Sequence, residues 1–443
     1  MFTPTIRELL FFLPLLTILT AVVPQKWKSA VLTVGGLAAC FLNGWQTLLW
    51  ALLSVFLGWF AVRCCPRTLT GPYAVKAKAW IAISFVLQTA IVILGKCNLY
   101  LLLSGMQAVI CVIDRANGML RIPSLPQYVG YICEYPRWFG FCPTDFAAYK
   151  ETRENRKPFE IERCAKGLWK MVFGIFELVM ISVTMSEFFS MIVDSQIGTH
   201  LSLLDSWFAA LAIYCAFYFG FHGRMDIGQG MHLVLGYELP DGYDAPIFSK
   251  SLREYCGRVC KPFRAAAGDI TGIPEDSSKM STVRWFFGVL ACLLVIGMAF
   301  NESLISGIVW GVLAAAVLLA ERMIPQKITE KIPAAVKCVL VTLTAVGFCY
   351  GLFTPPVFSH LSDILCLFGR GGIVLSGAAL YAISWHWSDL LLAIACLFPL
   401  RKAYHALEEK YPIIEKISVA VVPLSAFGMI LLCLMRLVAV YIS

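Results

Sequence analysis

The stretch Val283–Arg322 reads VRWFFGVLACLLVIGMAFNESLISGIVWGVLAAAVLLAER. Two apolar runs, at roughly 283–300 and 303–320, flank a short polar turn that contains Asn301 and Glu302. Each run is close to the length that an α-helix needs to cross about 30 Å of hydrocarbon. The stretch therefore predicts two membrane-spanning helices joined by a tight connection.

Runs of this kind recur along the whole chain. The protein has 443 residues, of which 59% are hydrophobic and only 14% are charged, whereas an average soluble domain has about 25% charged residues. We identify about eleven such runs. They lie at roughly 5–23, 29–44, 46–62, 76–95, 98–113, 167–192, 203–221, 283–300, 303–320, 332–353 and 416–442, and a broken pair covers 372–400.

These runs are predicted to be helices, because they are too long and too evenly apolar for the strands of a membrane barrel. The first run carries only Arg7 as an early cation, so we expect a retained helix and not a secretory signal. The chain has no internal repeat and no low-complexity tract. We therefore predict one all-α polytopic membrane domain over residues 1–443.

The distribution of positive charge predicts the orientation of the chain in the membrane. The formal net charge is +8, and Lys and Arg are concentrated in two segments, 115–166 and 223–284. The chain has no Lys or Arg between Ser190 and His222. The positive-inside rule places both basic segments in the cytoplasm and the turn Asp194–His200 outside, so the two runs between them form one hairpin.

Three polar interruptions are too long to be simple turns, and any chemistry is expected near them. They cover 115–166, 223–282 and 354–371. The first interleaves prolines with aromatic residues, a mixture typical of interfacial or re-entrant backbone. The second is predicted to be a cytoplasmic or interfacial segment, in which 249–267 alternates basic and apolar residues and predicts one short amphipathic helix.

Cysteine and histidine do not show the spacing of a metal site. The chain has 17 Cys and 6 His, but most cysteines lie inside apolar runs, where they act as small hydrophobic residues. No C-x-x-C pair occurs and the histidines are scattered, so we expect no metal site. Ionisable groups inside the runs are expensive in lipid, and they are either functional candidates or side chains that snorkel at helix ends. These are Glu177, Glu187, Asp205, Glu302, Asp389 and Arg436.

The segment 220–260 carries the most specific pattern in the chain. It contains Gly220-Phe221-His222-Gly223-Arg224-Met225-Asp226, then Gly236-Tyr237-Glu238-Leu239-Pro240, Asp244-Ala245-Pro246 and Ser251-Leu252-Arg253-Glu254. This pattern resembles the core of the membrane-bound O-acyltransferases, in particular the bacterial branch of alginate O-acetylases and the teichoic-acid D-alanyl transfer protein. The resemblance, with weaker similarities over about 26–365, implies a bundle of about eleven transmembrane helices with re-entrant and interfacial segments. It also implies descent from enzymes that acylate hydroxyls of cell-envelope polymers.

The chain departs from this family at its most diagnostic positions. The alignment places Cys260 and Asn301 where the family has its two histidines, and Arg137-Trp138-Phe139-Gly140 replaces the family's A-G-P-I signature. The resemblance therefore implies Cys260 and Asn301 as the candidate catalytic positions. The candidate substrate-binding positions are Asp226, Glu254, Arg258 and Glu302.

Acyl transfer to a hydroxyl needs a base near the acceptor oxygen and donors for the oxyanion that forms. Asn301 can donate a hydrogen bond but cannot accept the proton. Cys260 is either a nucleophile, if nearby cations lower the pKa of its thiol, or a small residue that fills the place of a lost ring. The cations are Arg258, Lys261 and Arg264, and the residues Asp226, Glu238, Asp241 and Asp244 form either an acidic set or a solvated helix end and turn.

These observations predict a multi-pass protein of the bacterial cytoplasmic membrane that is acyltransferase-like but degenerate in catalysis. The alternatives are an active transferase that uses Cys260, and a transporter or flippase, which the broken helices at 372–400 would suit. Membrane lipids are expected partners, with an acyl-donor or envelope-polymer protein as a further one, and nucleic acid is not expected. We expect no cofactor other than an acyl thioester donor.

Overall fold

The computed structural model describes most of the chain. The described residues are 8–67, 73–95, 98–155, 157, 160–194, 201–237, 239, 242–274, 280–300, 304–325, 330–353, 367–369, 372–398 and 410–442, without the side chains of 10, 25, 412–420 and 438–442. Asn301 and Glu302 lie outside these residues, as do Glu238 and Asp241.

Every regular element in the described ranges is helical. The first half contains α1 (Leu13–Val22), α2 (Gln25–Leu42), α3 (Trp45–Cys64), α4 (Ala74–Leu94), α5 (Leu99–Ala116), α6 (Leu125–Ile132), α7 (Tyr135–Phe139), α8 (Phe146–Glu154), α9 (Ile161–Phe176) and α10 (Thr184–Asp194). The second half contains α11 (Leu203–Leu235), α12 (Leu252–Val259), α13 (Lys261–Thr271), α14 (Thr282–Phe300), α15 (Leu304–Met323), α16 (Ala334–Phe353), α17 (Gly377–Leu397) and α18 (Pro412–Ile442). Short π-helical segments precede α1 and join α9 to α10, over Glu8–Phe12 and Glu177–Val183.

Among the described residues, nine helices are long and apolar enough to cross a membrane, where α9, the π-helical segment and α10 count as one. The shorter apolar helices Leu13–Val22 and Val421–Leu437 accompany them. This arrangement confirms the predicted all-α polytopic membrane protein.

The helix α11 continues well past the predicted end of its apolar run. It has 33 residues and ends where Gly236 adopts a left-handed conformation with φ of 90°, which glycine reaches without a steric penalty. The sequence 222–226 looks polar enough to end a helix, but Arg224 and Asp226 are buried against other helices. Residues 223–235 therefore belong to a membrane-spanning helix and not to the polar segment that follows.

Two further elements refine the sequence prediction. The predicted broken pair at 372–400 corresponds to α17, in which two helical stretches meet at a kink where His386 has φ of −114°. The predicted amphipathic helix at 249–267 is two helices, α12 and α13, separated by Cys260 in an extended conformation with φ of −155°. A proline at the start of α13, Pro262, suits the first turn of a new helix because that turn needs no backbone donor there.

Glycines allow the backbones of α9 and α11 to touch. A Cβ atom on Gly174 would lie 2.5 Å from the carbonyl oxygen of Gly223, and one on Gly167 would lie 2.7 Å from that of Gly230. Small residues at such crossings are the usual way in which membrane helices approach closely. The pairing fixes the relative height of the two helices, and therefore fixes which side chains face each other between them.

The aromatic interruption forms a buried layer inside the protein. The side chains of Tyr128 in α6 and Trp138 in α7 are fully buried. Glu134, between these helices, accepts hydrogen bonds from Arg137 at 2.6 Å and from Arg153 at 3.1 Å. Burial alone would raise the pKa of Glu134, but the two guanidinium groups hold it below its ordinary value. The ion pairs tie α7 to α8.

Candidate functional site

A cavity of about 670 Å³ lies between α11, the α12–α13 segment and α14, α15 and α16. Its walls are mostly aromatic and aliphatic side chains, including Phe141, Phe217, Phe221, Phe263, Trp285, Ile296, Phe300, Trp310, Phe348 and Leu352. Its volume is within the range of pockets that enclose small-molecule ligands. The apolar walls suit a hydrocarbon chain.

Cys260, which the resemblance aligns with a family histidine, lies in the wall of this cavity. It occupies the break between α12 and α13, and its Sγ lies 4.0 Å from the Sδ of Met225 in α11. Burial, with a smaller contribution from the neighbouring Cys142, raises the pKa of the Cys260 thiol. The thiol is therefore protonated and weakly reactive at neutral pH.

Two of the cations that could have activated Cys260 pair with carboxylates. Arg258 pairs with Glu254 at 2.6 Å on the surface of α12, and neither is among the described residues that line the cavity. Lys261 lies 3.5 Å from the carboxylate of Asp244. Of the two alternatives for Cys260, the raised thiol pKa favours the small residue over the activated nucleophile, and Glu254 and Arg258 pair with each other outside the described cavity lining.

The cavity wall includes three cations that reach toward the surface in the α12–α13 segment. They are Arg253, Lys261 and Arg264, and the Lys261 side chain is 46% exposed. The guanidinium of Arg253 lies 5.5 Å from the centre of the Trp285 ring, a cation–π contact. A ligand with an apolar chain and an anionic group at one end would match this distribution.

The second family-histidine position, Asn301, lies outside the described residues, and so does Glu302. The residue before them, Phe300, belongs to the cavity wall. Its ring centroid lies 6.0 Å from that of Phe221 in α11. The end of α14 therefore reaches the same cavity as Cys260.

A second group of polar residues lies between α9 and α11. His222 Nδ1 is 2.5 Å from Glu177 Oε2 and 4.0 Å from Asp226 Oδ2, and Lys170 Nζ is 3.8 Å from Asp226 Oδ1. One ligand atom from each of Glu177, His222 and Asp226 lies within 4.8 Å of the other two, a spacing that a metal ion could bridge. Asp226 is therefore part of a buried cluster, and it does not lie at a solvated helix end.

Tyr243 separates this cluster from the cavity. It lines the cavity, and its ring packs edge-on to the His222 imidazole with centroids 4.9 Å apart. Tyr218 stacks on the same imidazole at 5.9 Å with an interplanar angle of 9°. These two rings hold the imidazole in one orientation, so that Nδ1 faces Glu177.

The remaining described ionisable residues of the apolar runs pair with other polar groups, either between helices or within one helix. Glu187 in α10 contacts Arg436 in α18, and Asp205 accepts a hydrogen bond from the backbone nitrogen of Ser376 at 3.1 Å. Asp389 lies 3.1 Å from His386 within α17. These contacts satisfy the charged groups and give them a structural role.

Comparison with known proteins places the chain in a family context, although no family model matches it. The probable alginate O-acetylase of Pseudomonas aeruginosa is 22% identical over 192 residues, which are 43% of this chain and 36% of that protein. The chain is distantly similar to this membrane O-acetylase. The same relationship appears with the probable alginate O-acetylase of Azotobacter vinelandii, 22% identical over 174 residues, and with the peptidoglycan O-acetyltransferase of Helicobacter pylori, 21% identical over 169 residues.

The chain aligns with only part of each of these enzymes. The alignments cover 38% of the chain and 33% of the Azotobacter protein, and 38% of the chain and 32% of the Helicobacter protein. The chain therefore matches about a third of the length of these relatives. These relatives are O-acetyltransferases of cell-envelope polymers, which confirms the resemblance that the sequence motifs indicated.

Sequence reasoning identified Glu177 and Asp226 separately but did not associate them with His222. Glu177 and His222 are 45 positions apart and meet only because α9 and α11 touch at Gly174 and Gly223. The sequence does contain a signal for this contact: two glycines seven residues apart, Gly167 and Gly174, lie in one apolar run, and two more, Gly223 and Gly230, follow the next run. That spacing predicts a close crossing, and a close crossing brings the ionisable residues beside it together.

Proposed function

We propose that this chain binds an acyl chain in the cavity beside Cys260 and has lost the transfer reaction of its relatives. The observation that supports this most directly is the composition of the cavity wall, which is mostly apolar, includes the cations Arg253, Lys261 and Arg264, and contains no histidine among the described residues. Such a wall supplies binding energy but no imidazole, the group that titrates near pH 7, and its described carboxylate is that of Asp269.

The hydrophobic effect accounts for the binding part of the proposal. Each methylene group removed from water contributes about 0.8 kcal/mol, so a chain of about eight methylenes gains on the order of 6 kcal/mol in an apolar cavity. The cations Arg253, Lys261 and Arg264 would face an anionic group at the end of that chain. A thioester carrier with phosphate groups and an anionic lipid both have this chemistry.

The absence of transfer follows from the two replaced positions. Asparagine at 301 has no titratable group, and the thiol of Cys260 stays protonated because burial raises its pKa. A positioned general base typically contributes 10²–10⁴-fold to the rate. Loss of that contribution at both family-histidine positions leaves the cavity as a binding site.

We further propose the cellular setting that the relatives suggest. The chain would lie in the bacterial cytoplasmic membrane, receive its acyl ligand from a lipid or a thioester donor, and cooperate with a partner protein of an envelope-polymer system. It would need no resident cofactor for this role. Neighbouring genes that encode an intact envelope-polymer acyltransferase would support an accessory function.

The binding proposal is tested by native mass spectrometry of the purified protein with a fatty acyl phospholipid and an acyl thioester. Cys292 lines the cavity from α14, and Cys292→Phe places a large ring in the space that the acyl chain would occupy. Val283→Phe is the matched control, because Val283 is 64% exposed on the same helix. The proposal predicts at least about tenfold weaker acyl binding by Cys292→Phe and unchanged binding by the control. Equal binding by both variants would refute it.

A further inference from the structure

The polar cluster between α9 and α11 has a composition that acyl-chain binding does not explain. Two carboxylates, Glu177 and Asp226, and one imidazole, His222, meet inside helices that span the membrane. The carboxylate side chains are only 3% and 6% exposed. Ionised groups in such a place are expensive and need a compensating charge.

We propose that Glu177, His222 and Asp226 form a binding site for a divalent transition-metal ion. One nitrogen and two oxygen ligands suit ions such as Mn²⁺, Fe²⁺ or Zn²⁺. This inference does not depend on the acyl-binding function, because Tyr243 separates the cluster from the cavity.

The distances are close to those of a coordination sphere. Ligand atoms that share one metal ion at about 2.1 Å lie roughly 3.4 Å apart in tetrahedral geometry. In the structure Nδ1 of His222 is 2.5 Å from Glu177 and 4.0 Å from Asp226. Moving the Glu177 carboxylate outward and the Asp226 carboxylate inward by less than about 1 Å would bring each to that spacing from Nδ1, and the ligand atoms of all three residues already lie within 4.8 Å of one another.

Ring contacts and a close helix crossing hold the proposed ligands in place. Tyr218 and Tyr243 hold the imidazole between them, and the glycine contact of Gly174 with Gly223 fixes the two helices beside it. Glu177 is the first residue of the π-helical segment Glu177–Val183. Such segments interrupt α-helices frequently at functional sites, because they redirect the side chains at the interruption.

Lys170 provides a sharp test, because its ammonium group competes with a metal ion for the same carboxylate. Lys170 Nζ lies 3.8 Å from Asp226 Oδ1, and its side chain is 20% exposed. A bound dication would repel this ammonium group and push it toward the surface. Removal of the lysine charge should therefore strengthen metal binding. If the cluster is only a set of self-compensating ion pairs, removal of Lys170 creates no affinity for metal.

The measurement uses the full-length protein in detergent, stripped with a chelator and titrated with Mn²⁺, whose free form is counted by electron paramagnetic resonance. Manganese is chosen because carboxylates bind it well and the many cysteine thiols do not. The proposal predicts one bound ion per chain. It also predicts, in pulsed spectra of the bound ion, the nitrogen coupling of a directly coordinated imidazole, which requires no variant.

Variants then identify the ligands. His222→Gln and Glu177→Gln should each weaken Mn²⁺ binding at least about tenfold, and Lys170→Met should strengthen it about tenfold. His386→Gln is the matched control, since His386 also pairs with a carboxylate, that of Asp389 at 3.1 Å. Size-exclusion profiles establish that each variant is folded. An unmodified protein that binds no stoichiometric Mn²⁺, or a bound ion without nitrogen coupling, would overturn the proposal.

Discussion

The sulfur atom of Cys260 lies 4.0 Å from the thioether sulfur of Met225, so the break between α12 and α13 packs directly against α11. This contact holds the family-histidine position at the wall of the cavity even though the residue is a cysteine. The backbone at this position therefore presents its side chain to the cavity. Under the proposed function, that side chain lacks the imidazole that acyl transfer would need.

This geometry predicts that a titratable base can be reintroduced. The double variant Cys260→His with Asn301→His should transfer an acetyl group from a thioester to a model sugar hydroxyl, where the unmodified protein does not. The physical reason is that an imidazole titrates near neutral pH, and a positioned base contributes about 10²–10⁴-fold to the rate. Product is measured by mass spectrometry, and Cys292→His within the same cavity is the positional control.

The buried ion pairs of Glu134 should determine much of the stability of the first half of the chain. Glu134→Gln leaves the buried Arg137 and the partly buried Arg153 beside a neutral amide and should lower the free energy of unfolding by about 3 kcal/mol. Glu154→Gln removes an exposed pair with Lys150, at 3.4 Å, and should change stability by less than about 1 kcal/mol. Thermal unfolding of the two variants and the unmodified protein in detergent measures both changes in stability.

The ion pairs of Glu134 also predict how the stability of the protein depends on pH. The pKa of Glu134 in the folded protein is below its ordinary value of 4.5, so its stabilising contribution is complete above pH 4.5 and is lost as pH falls through the lowered pKa. The difference in stability between the unmodified protein and Glu134→Gln should therefore be constant from pH 7 to pH 5 and shrink only in stronger acid. A difference that disappears already near pH 6 would contradict this assignment.

The sequence predicted the membrane-spanning helices well because length and hydrophobicity determine them locally. It predicted a helix over 227–235 that ends at Gly236, but it assigned 223–235 to a polar segment, because Arg224 and Asp226 look solvated although they are buried in the continuous helix α11. At Cys260 it predicted one amphipathic helix over 249–267, although Pro262 suits the first turn of a new helix. The pairing of Glu177 with His222 depends on how two helices cross, and that crossing is a property of the tertiary structure.

The contact between α7 and α11 depends on a second pair of glycines. A Cβ atom on Gly228 would lie 2.5 Å from the Cα of Gly140 and 2.6 Å from the carbonyl oxygen of Pro136. Gly228→Ala should therefore destabilise the protein by about 1–3 kcal/mol. Gly347→Ala in α16 is the control, because no atom lies within 4 Å of its added Cβ and alanine favours a helix by roughly 0.5–1 kcal/mol.

The charge asymmetry predicts the orientation of the hairpin formed by 161–194 and α11. Single cysteines introduced at 193–202 should react with a membrane-impermeant maleimide added to intact cells, whereas those at 150–160 and 250–280 should react only after the membrane is opened. The unmodified protein gives the baseline for its native cysteines. Reaction of both sets from the same side of the membrane would disprove the hairpin orientation.

The central claim, that the cavity binds an acyl chain without transferring it, is tested most directly by incubating the purified protein with a radiolabelled acyl thioester and an acceptor sugar. Three quantities are measured on one sample: bound thioester, label covalently attached to protein, and acylated sugar. The account predicts saturable binding, no hydroxylamine-sensitive label on Cys260, and no acylated sugar. Hydroxylamine-sensitive labelling that Cys260→Ser abolishes, or sugar acylation by the unmodified protein, would contradict it.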